Sequence, residues 1–381
     1  MRLAGKGQRR EPLGCYPDGP DRTGQRAAVL REGSMRARTG LRLLALPLAL
    51  LLVPAGSLAD DAPDAAARLK ALEERIESLE FDLDQVRKSS DDALFWLRLG
   101  DVAEIDKVNV AGPPNPRAKE RYGIANERHP IRFAQYVFAP KVREAGRRYP
   151  VVVLPHGGVH GDFGTYHVHI VKEMLEQGWV VLAPEYRGST GYGKGFYEAI
   201  DYGGLEVDDV IAGLDWAVSE LPYVDGSRAA IAGWSHGGLI ALLAVTRHPE
   251  KFRAAYAGVP VTDLVTRLGY HEQSYEDLFA AKHHVGKKVV EDVDEYRRRS
   301  PVFWASKLKT PLLVHATTND RDVNVLEAEN LIAALKAEGK SFEHKIYTDA
   351  PAGHSFNRID TRLAKESRKE IWAFLRKHLG R

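Results

Sequence analysis

From residue 149 onward, short apolar runs alternate with longer segments in which apolar residues recur every three or four positions. The short runs predict buried strands, and the longer segments predict helices that pack one face against those strands. The predicted strands are 151–154, 179–183, 229–232, 254–258, 312–315 and 343–347, preceded by a strand at 131–138, and the predicted helices are 167–177, 206–220, 237–247, 326–338 and 361–379. This alternation indicates an α/β fold with a mostly parallel sheet and helices on both faces.

A different pattern occupies residues 60–98, which we interpret as an N-terminal amphipathic helix. Six apolar residues recur there at alternating spacings of three and four, so they share one stripe of the helix: Leu69, Leu72, Ile76, Leu79, Leu83 and Val86. Two interpretations of this stripe stay open. It could form a short coiled-coil seam that joins two copies of the chain through residues 69–86, or it could pack against its own domain.

The residues upstream of this helix have the features of an export signal. Residues 1–34 are rich in Gly, Arg and Pro without apolar periodicity, and we interpret them as disordered or as a spurious upstream extension. Residues 35–59 combine a basic start, an apolar run over 43–53 and small residues at a cleavage position. This pattern predicts a signal peptide cleaved after Ala59, and therefore a periplasmic or secreted protein without stable membrane insertion. An uncleaved membrane anchor is the alternative.

Composition and charge exclude several classes of protein. The one cysteine, Cys15, lies upstream of the predicted cleavage position, so the mature chain has no cysteine for a disulfide or for a cysteine-based zinc or iron–sulfur site. Residues 1–59 hold ten Lys or Arg against four Asp or Glu, whereas the whole chain carries +2, which leaves −4 for the remainder. A mildly acidic body has no broad basic surface, so we expect no nucleic-acid partner.

The strongest chemical signal is the motif Gly233-x-Ser235-x-Gly237, directly after a predicted strand and before a predicted helix. This context is typical of the nucleophile elbow of an α/β-hydrolase. The turn leaves no room for side chains at the glycine positions and lifts the Ser235 hydroxyl above the sheet. It also directs the backbone N–H of His236, at a helix N-terminus, toward a developing oxyanion. The motif therefore predicts Ser235 as a nucleophile.

A serine nucleophile needs a general base and an acid that orients it. In this fold the three residues follow the order Ser, Asp or Glu, His. His354 lies in a loop after the last predicted strand, where its imidazole can reach the serine. The acid is expected after the preceding strand, where Asp320 and Asp322 are both candidates.

The second oxyanion donor is expected in the H-G-G sequence at 156–158, which follows the predicted strand 151–154. Three further histidines come soon after it, namely His160, His167 and His169. Because residues two apart on a helix face away from each other, we expect no metal site there. Acyl transfer by this set of residues needs no cofactor.

The polar segment Leu268–Ser300 interrupts the alternation of strands and helices. Ligands of open α/β sheets bind at the carboxyl ends of the strands, so an insertion there is expected to form a wall of the substrate pocket. A plain surface excursion is the alternative.

Five segments, in the same order, resemble the catalytic domain of the prolyl oligopeptidase family of serine peptidases. They are His156–Gly158, Arg187–Gly193, Gly233–Gly238, Asp320–Val323 and Gly353-His354. The resemblance covers about 145–381. It implies an α/β-hydrolase catalytic domain, with Asp320 rather than Asp322 as the triad acid. It also implies that the backbone of Gly158 supplies the second oxyanion donor.

Typical members of that family carry a large β-propeller before the hydrolase domain. Here residues 99–144, interpreted as a linker and a leading strand, separate the N-terminal helix from the domain at 145–381, so a propeller is not expected. The sequence thus predicts an exported serine hydrolase that cleaves peptide or amide bonds through an acyl-enzyme on Ser235, Asp320 and His354. The alternatives are a carboxylesterase acting on small or carbohydrate-linked esters and a non-catalytic binding protein.

Overall fold

The computed structural model describes residues 61–115 and 130–380 of the chain. The predicted upstream extension at 1–34 and the predicted signal peptide at 35–59 lie outside the described residues, so both stay predictions. Within the described ranges, no helix combines the length and the apolar character that crossing a membrane requires.

A central sheet of eight strands organises the described residues. The strands are β1 (Ala103–Pro114), β2 (Pro130–Pro140), β3 (Tyr149–Val153), β4 (Val180–Pro184), β5 (Val224–Trp234), β6 (Ala254–Gly258), β7 (Leu312–Thr317) and β8 (Glu343–Tyr347). They lie in the order β1-β2-β4-β3-β5-β6-β7-β8. The pairs β1–β2 and β2–β4 are antiparallel, and the other five pairs are parallel. The predicted α/β class with a mostly parallel sheet is therefore confirmed.

Helices cover both faces of this sheet, as the sequence predicts. They are α1 (Asp61–Leu99), α2 (Val168–Glu176), α3 (Lys194–Tyr197), α4 (Leu205–Glu220), α5 (His236–Arg247), α6 (Leu264–Tyr270), α7 (Gln273–Ala280), α8 (Val293–Arg298), α9 (Val325–Ala337) and α10 (Arg362–Leu379). Helices α4, α5 and α9 contribute to one buried apolar cluster, and α1, α2 and α10 contribute to another. Strand β3 shows the alternation, because Val151 and Val153 belong to the first cluster and Val152 to the second.

Strand β1 is a difference from the sequence prediction, which interprets its residues as linker. It pairs antiparallel with β2 in a register that begins with Ala103 opposite Pro140, and it forms one edge of the sheet. At its start, buried apolar residues alternate with the exposed Glu104 and Asp106, as expected for an edge strand that buries one face only. The range 99–144 therefore holds two strands of the central sheet.

The N-terminal helix α1 packs on the domain through a face other than the predicted stripe. All six stripe residues are exposed, with 49% to 62% of their surface accessible: Leu69, Leu72, Ile76, Leu79, Leu83 and Val86. The buried residues are instead Phe81, Lys88, Phe95 and Leu99. The Phe95 ring packs against Tyr136 and Phe138 of β2 at 5.1 and 5.3 Å between ring centroids. The helix therefore lies against its own domain, but not through the predicted stripe.

Candidate active site

Ser235 lies in the sharp turn between β5 and α5 with φ 59° and ψ −123°. A positive φ is strained for a residue that carries a Cβ atom. A Cβ atom on Gly233 would come within 2.1 Å of the carbonyl oxygen of Gly237, and one on Gly237 within 2.3 Å of the carbonyl oxygen of Pro155. Both glycines of the motif are thus required by close backbone approach. The turn lies at the carboxyl end of the parallel strand β5, where ligands of open α/β sheets bind.

His354 lies in the loop after β8, and its two ring nitrogens contact two different carboxylates. Nδ1 is 2.7 Å from Oδ2 of Asp320, and Nε2 is 3.3 Å from Oδ2 of Asp322. Asp320 is buried, and its Oδ1 accepts hydrogen bonds of 2.9 Å from the backbone N–H groups of Asp322 and Val323. These bonds fix the Asp320 carboxylate on the Nδ1 side of the imidazole. An acid that orients a catalytic histidine occupies that side.

Asp322 is half-buried and forms an ion pair with Arg267, so its carboxylate does not simply face solvent. Its Oδ1 accepts a hydrogen bond of 2.9 Å from Arg267. Burial raises the pKa of Asp322, but the opposite charges of His354 and Arg267 outweigh burial and bring that pKa below its ordinary value. The Asp322 carboxylate is therefore ionised at neutral pH beside Nε2, the nitrogen that a serine hydroxyl would need.

The structure brings His354 and Asp320 together, but it does not join Ser235 to them. Within residues 61–115 and 130–380, no hydrogen bond links Ser235 Oγ to His354. Catalytic hydrogen bonds in ligand-free enzymes are often long and tighten when substrate binds. In this geometry the contact between Nε2 and Asp322 must be exchanged for a contact with Ser235 before proton transfer can occur.

The loop after β3 passes directly beside the elbow. A Cβ atom on Gly157 would lie 3.5 Å from Cβ of Ser235 and 3.1 Å from the carbonyl oxygen of Trp234. Gly158 has φ +83°, a conformation that glycine adopts without steric cost. In the described part of the chain, the backbone N–H groups of Gly158 and His236 donate to no backbone carbonyl. Both predicted oxyanion donors are therefore available to a ligand.

The His236 side chain has a role that the sequence reasoning missed. Its Nδ1 lies 2.9 Å from the carbonyl oxygen of Gly158, and its Nε2 lies 3.2 Å from Oε1 of Glu206. Glu206 is fully buried at the start of α4 and also accepts hydrogen bonds from the backbone N–H groups of Gly203 and Gly204. The imidazole thus anchors the peptide of Gly158 to a fixed carboxylate. The sequence signal for this role is Glu206 itself, an acidic residue at a position of α4 that the helix buries.

His156 is the first residue of the oxyanion loop, the H-G-G sequence 156–158 that follows β3. It is buried and stacks on the Tyr186 ring, with 4.3 Å between ring centroids. Its Nε2 is 2.8 Å from Oγ of Ser189. Burial lowers the pKa of His156 to about 4, so the ring is neutral at physiological pH. His156 therefore connects the oxyanion loop to the segment that follows β4.

The segment Arg187–Gly193 supports the sheet. Arg187 forms a buried ion pair with Asp209 of α4, with contacts of 2.7 and 2.8 Å to its two carboxylate oxygens. The same guanidinium donates to the carbonyl oxygen of Pro113 at the end of β1. These contacts tie the edge strand, the loop and α4 together, so this segment acts on the site through its position.

The chain is similar in sequence to known proteins. A sequence model described as the prolyl oligopeptidase family matches residues 166–381. The uncharacterized peptidase YuxL of Bacillus subtilis is 30% identical over 226 residues, which cover 58% of this chain and 33% of that protein. The human acylamino-acid-releasing enzyme is 26% identical over 297 residues, which cover 76% of this chain and 39% of that enzyme. The chain thus spans less than half the length of the curated relatives it matches.

Solved structures share the architecture as well. The acylaminoacyl peptidase of Pyrococcus horikoshii superposes with a TM-score of 0.61 at 22% identity, over 73% of this chain and 42% of that chain. A puromycin-hydrolyzing peptidase of Mycobacterium tuberculosis gives 0.60 at 24% identity, over 73% and 40%. At these identities the likeness shows the fold, and the predicted α/β-hydrolase fold is confirmed.

Proposed function

The chain belongs to the prolyl oligopeptidase family, and from this premise we propose that it is a serine peptidase that hydrolyses peptide or amide bonds through an acyl-enzyme on Ser235. The observation that carries the proposal is the 2.7 Å contact between His354 Nδ1 and Asp320 on loops that follow β8 and β7. These loops and the Ser235 turn follow parallel strands, so all three residues lie at the carboxyl edge of one sheet.

In the proposed acylation step, Ser235 Oγ attacks the substrate carbonyl carbon while His354 Nε2 accepts the hydroxyl proton. Asp320 stabilises the resulting imidazolium through its contact with Nδ1. The backbone N–H groups of His236 and Gly158 stabilise the oxyanion. His354 then protonates the leaving amine, the C–N bond breaks, and the acyl group remains on Ser235. A water molecule that His354 deprotonates releases the acid and regenerates the hydroxyl.

The substrate class follows from the family. By their names, the acylamino-acid-releasing enzymes release acylated amino acids, and the protein BIII of Pseudoxanthomonas mexicana is a dipeptidyl aminopeptidase. This chain spans about a third of the length of that aminopeptidase. We therefore propose short peptides as the substrate class without assigning the specificity of either relative.

The test is to profile the purified protein and the Ser235→Ala variant against one library of short peptides and carboxylic esters. We expect peptide cleavage that falls at least about a thousandfold in the variant, because triad members act as a unit. Turnover of esters alone would favour the carboxylesterase. Turnover of neither class, in a protein that unfolds cooperatively, would favour the non-catalytic binding protein.

We also propose that the chain is exported and cleaved after Ala59, on the sequence pattern of residues 35–59. Sequencing the N-terminus of the protein isolated from its source cell should find Asp60 first. A mature chain that still contains residues 43–53 would overturn this proposal.

The exposed stripe of α1 supports a homodimer through residues 69–86, which we propose as an antiparallel pair of helices. The helix is mixed in charge over 68–75, with three basic and two acidic residues, and carries four acidic residues and no basic one over 77–84. Antiparallel pairing places these unlike segments opposite each other. Ile76→Glu should lower the sedimentation coefficient to that of a monomer, whereas Leu97→Glu, an exposed position outside the stripe, should not. An unchanged coefficient for Ile76→Glu would contradict the proposal.

A further inference from the structure

Three histidines from distant parts of the chain meet beside the oxyanion loop. His160 lies shortly after that loop, and His283 and His284 lie between α7 and α8 in the predicted insertion. One ring nitrogen from each lies within 4.8 Å of the other two. The sequence analysis considered a metal site only among His160, His167 and His169 and expected none there. In the structure the partners of His160 are instead His283 and His284.

The tautomer of His160 is set by its surroundings. Its Nδ1 is 2.9 Å from the carbonyl oxygen of Gly188, which can only accept a hydrogen bond, so Nδ1 carries the proton. The lone pair is then on Nε2, which lies 3.0 Å from Nε2 of His284. A backbone carbonyl that holds one imidazole nitrogen while the other is presented inward is the usual environment of a metal-binding histidine.

Aromatic packing holds these rings in place. Tyr197 stacks on His160 with 3.4 Å between centroids and 10° between planes. Phe279 packs edge-on against His284 at 6.0 Å. The rings of His283 and His284 are 4.8 Å apart, and those of His160 and His284 are 5.0 Å apart. A ligand set held by packing loses less conformational freedom when it binds a metal.

From this arrangement we propose that His160, His283 and His284 bind one divalent zinc ion. Zn–N bonds of about 2.0–2.1 Å place the nitrogens of a tetrahedral site about 3.4 Å apart. The 3.0 Å distance between Nε2 of His160 and Nε2 of His284 must therefore widen slightly, and nitrogens separated by up to 4.8 Å must move closer when the ion binds. Three neutral imidazoles are a common ligand set for zinc, and the fourth position is left for water or an anion. The proposal goes beyond the hydrolase activity and does not depend on it.

The consequence of binding is a link between two distant parts of the chain. His160 and His284 are separated by 124 positions in the sequence, so the ion connects the segment that follows the oxyanion loop to the insertion. Lys287 and Lys288, exposed shortly after His284, are sites for trypsin. Zinc should therefore slow tryptic cleavage after these lysines, because cleavage requires local opening of the segment.

The test is isothermal titration calorimetry of ZnCl₂ into the full chain, prepared without a histidine tag and stripped with a chelator. We expect one site in the wild-type protein and in the control His344→Ala, whose side chain is exposed on β8. His160→Ala and His283→Ala should each weaken zinc binding by at least about tenfold. Loss of a group that only hydrogen-bonds a metal ligand already lowers affinity by about that factor, and loss of the ligand itself should lower it at least as much. Cys15 is present in every variant, so its contribution cancels.

Two outcomes would overturn the proposal: absence of zinc binding by the wild-type protein, or equal affinity in His283→Ala and His344→Ala. Thermal unfolding without zinc shows whether each variant is folded. Tryptic cleavage after Lys287 and Lys288 in the wild-type protein, with and without ZnCl₂, decides the question even where a variant fails to fold. Equal cleavage rates would count against the link.

Discussion

Replacing Lys88 with Met removes a buried cation that the N-terminal helix α1 places inside the hydrolase domain. Both Lys88 and Glu185 are buried, and their side chains form an ion pair. The ammonium also donates a hydrogen bond of 2.7 Å to the carbonyl oxygen of Phe163 and lies 3.4 Å from Oδ2 of Asp162. The variant keeps the length of the side chain but leaves Glu185 without this partner.

The expected loss follows from the uncompensated carboxylate. Removing one partner of a buried ion pair costs about 3–5 kcal/mol in the free energy of unfolding. Burial raises the pKa of Glu185 to about 7 even beside Lys88, so the carboxyl group of the variant is expected to fold in its protonated form at neutral pH. A loss near the lower end, about 3 kcal/mol, is therefore expected at pH 7.

A second ion pair on the same helix supplies the control. Glu77 and Lys194 are both exposed and lie 2.6 Å apart, so Glu77→Gln should cost less than about 1 kcal/mol. The double variant Lys88→Met with Glu185→Gln should recover most of the loss, because it removes the buried charge together with its partner.

Urea unfolding of the full-length protein, followed by far-UV circular dichroism, measures these differences. A Lys88→Met variant within about 1 kcal/mol of the wild type would mean that α1 does not hold its cation inside the domain. A double variant no more stable than Lys88→Met would refute the electrostatic explanation and leave a packing effect.

Three further predictions concern pH, the two acids and the elbow. Burial lowers the pKa of His315 to about 4, so between pH 6.5 and 4 the unfolded chain binds more protons than the folded chain. The midpoint of urea unfolding should therefore fall as the pH is lowered through that window, and a rising midpoint would contradict this prediction. Asp320→Asn should reduce kcat by up to about ten-thousandfold and Asp322→Asn by less than about tenfold, and steady-state kinetics showing the reverse ranking would make Asp322 the orienting acid. Gly237→Ala should lower the free energy of unfolding in urea by roughly 1–3 kcal/mol, because its Cβ atom would lie 2.3 Å from a carbonyl oxygen, whereas a Cβ atom on Gly269 has no atom within 4 Å and Gly269→Ala should lower it by none. Equal values for the two variants would argue against the close approach at Gly237.

The parts of the fold that the sequence predicts are those with strong local patterns. Strands β3 to β7 contain short apolar runs, and the helices between them have clear periodicity, so most of the parallel part of the sheet follows from the sequence alone. Strand β1 escapes this reasoning because Glu104, Asp106 and Lys107 interrupt its apolar residues. Such a strand is recognised by its partner β2, which lies in another part of the chain.

The site divides in the same way. The Ser235 turn is a local motif, and its backbone geometry matches the prediction. The contacts of Asp322 with His354 and Arg267 are long-range, so no spacing in the sequence indicates that this carboxylate faces the catalytic imidazole. The anchoring of the Gly158 peptide through the His236 ring depends in the same way on loops that only the folded sheet brings together.

The stripe of α1 shows why an apolar pattern alone does not identify its partner. The spacing predicts which residues share a face, and they do, but all of them are exposed. The helix is attached to the domain by Phe81, Lys88 and Phe95, which recur every seven residues and share a face different from the stripe. Periodicity indicates an interface without saying whether it is internal or between copies of the chain.

If His354 activates Ser235 as a nucleophile, the rate at which a fluorophosphonate probe labels the protein measures this activation directly. Mass spectrometry of the intact protein and of its peptides should find one adduct, on Ser235, and none in Ser235→Ala. His354→Ala should be labelled more slowly by at least about a hundredfold, because the serine hydroxyl then lacks its general base. Labelling of another residue would contradict the assignment of Ser235 as the nucleophile, and labelling of His354→Ala at the wild-type rate would contradict the assignment of His354 as its base.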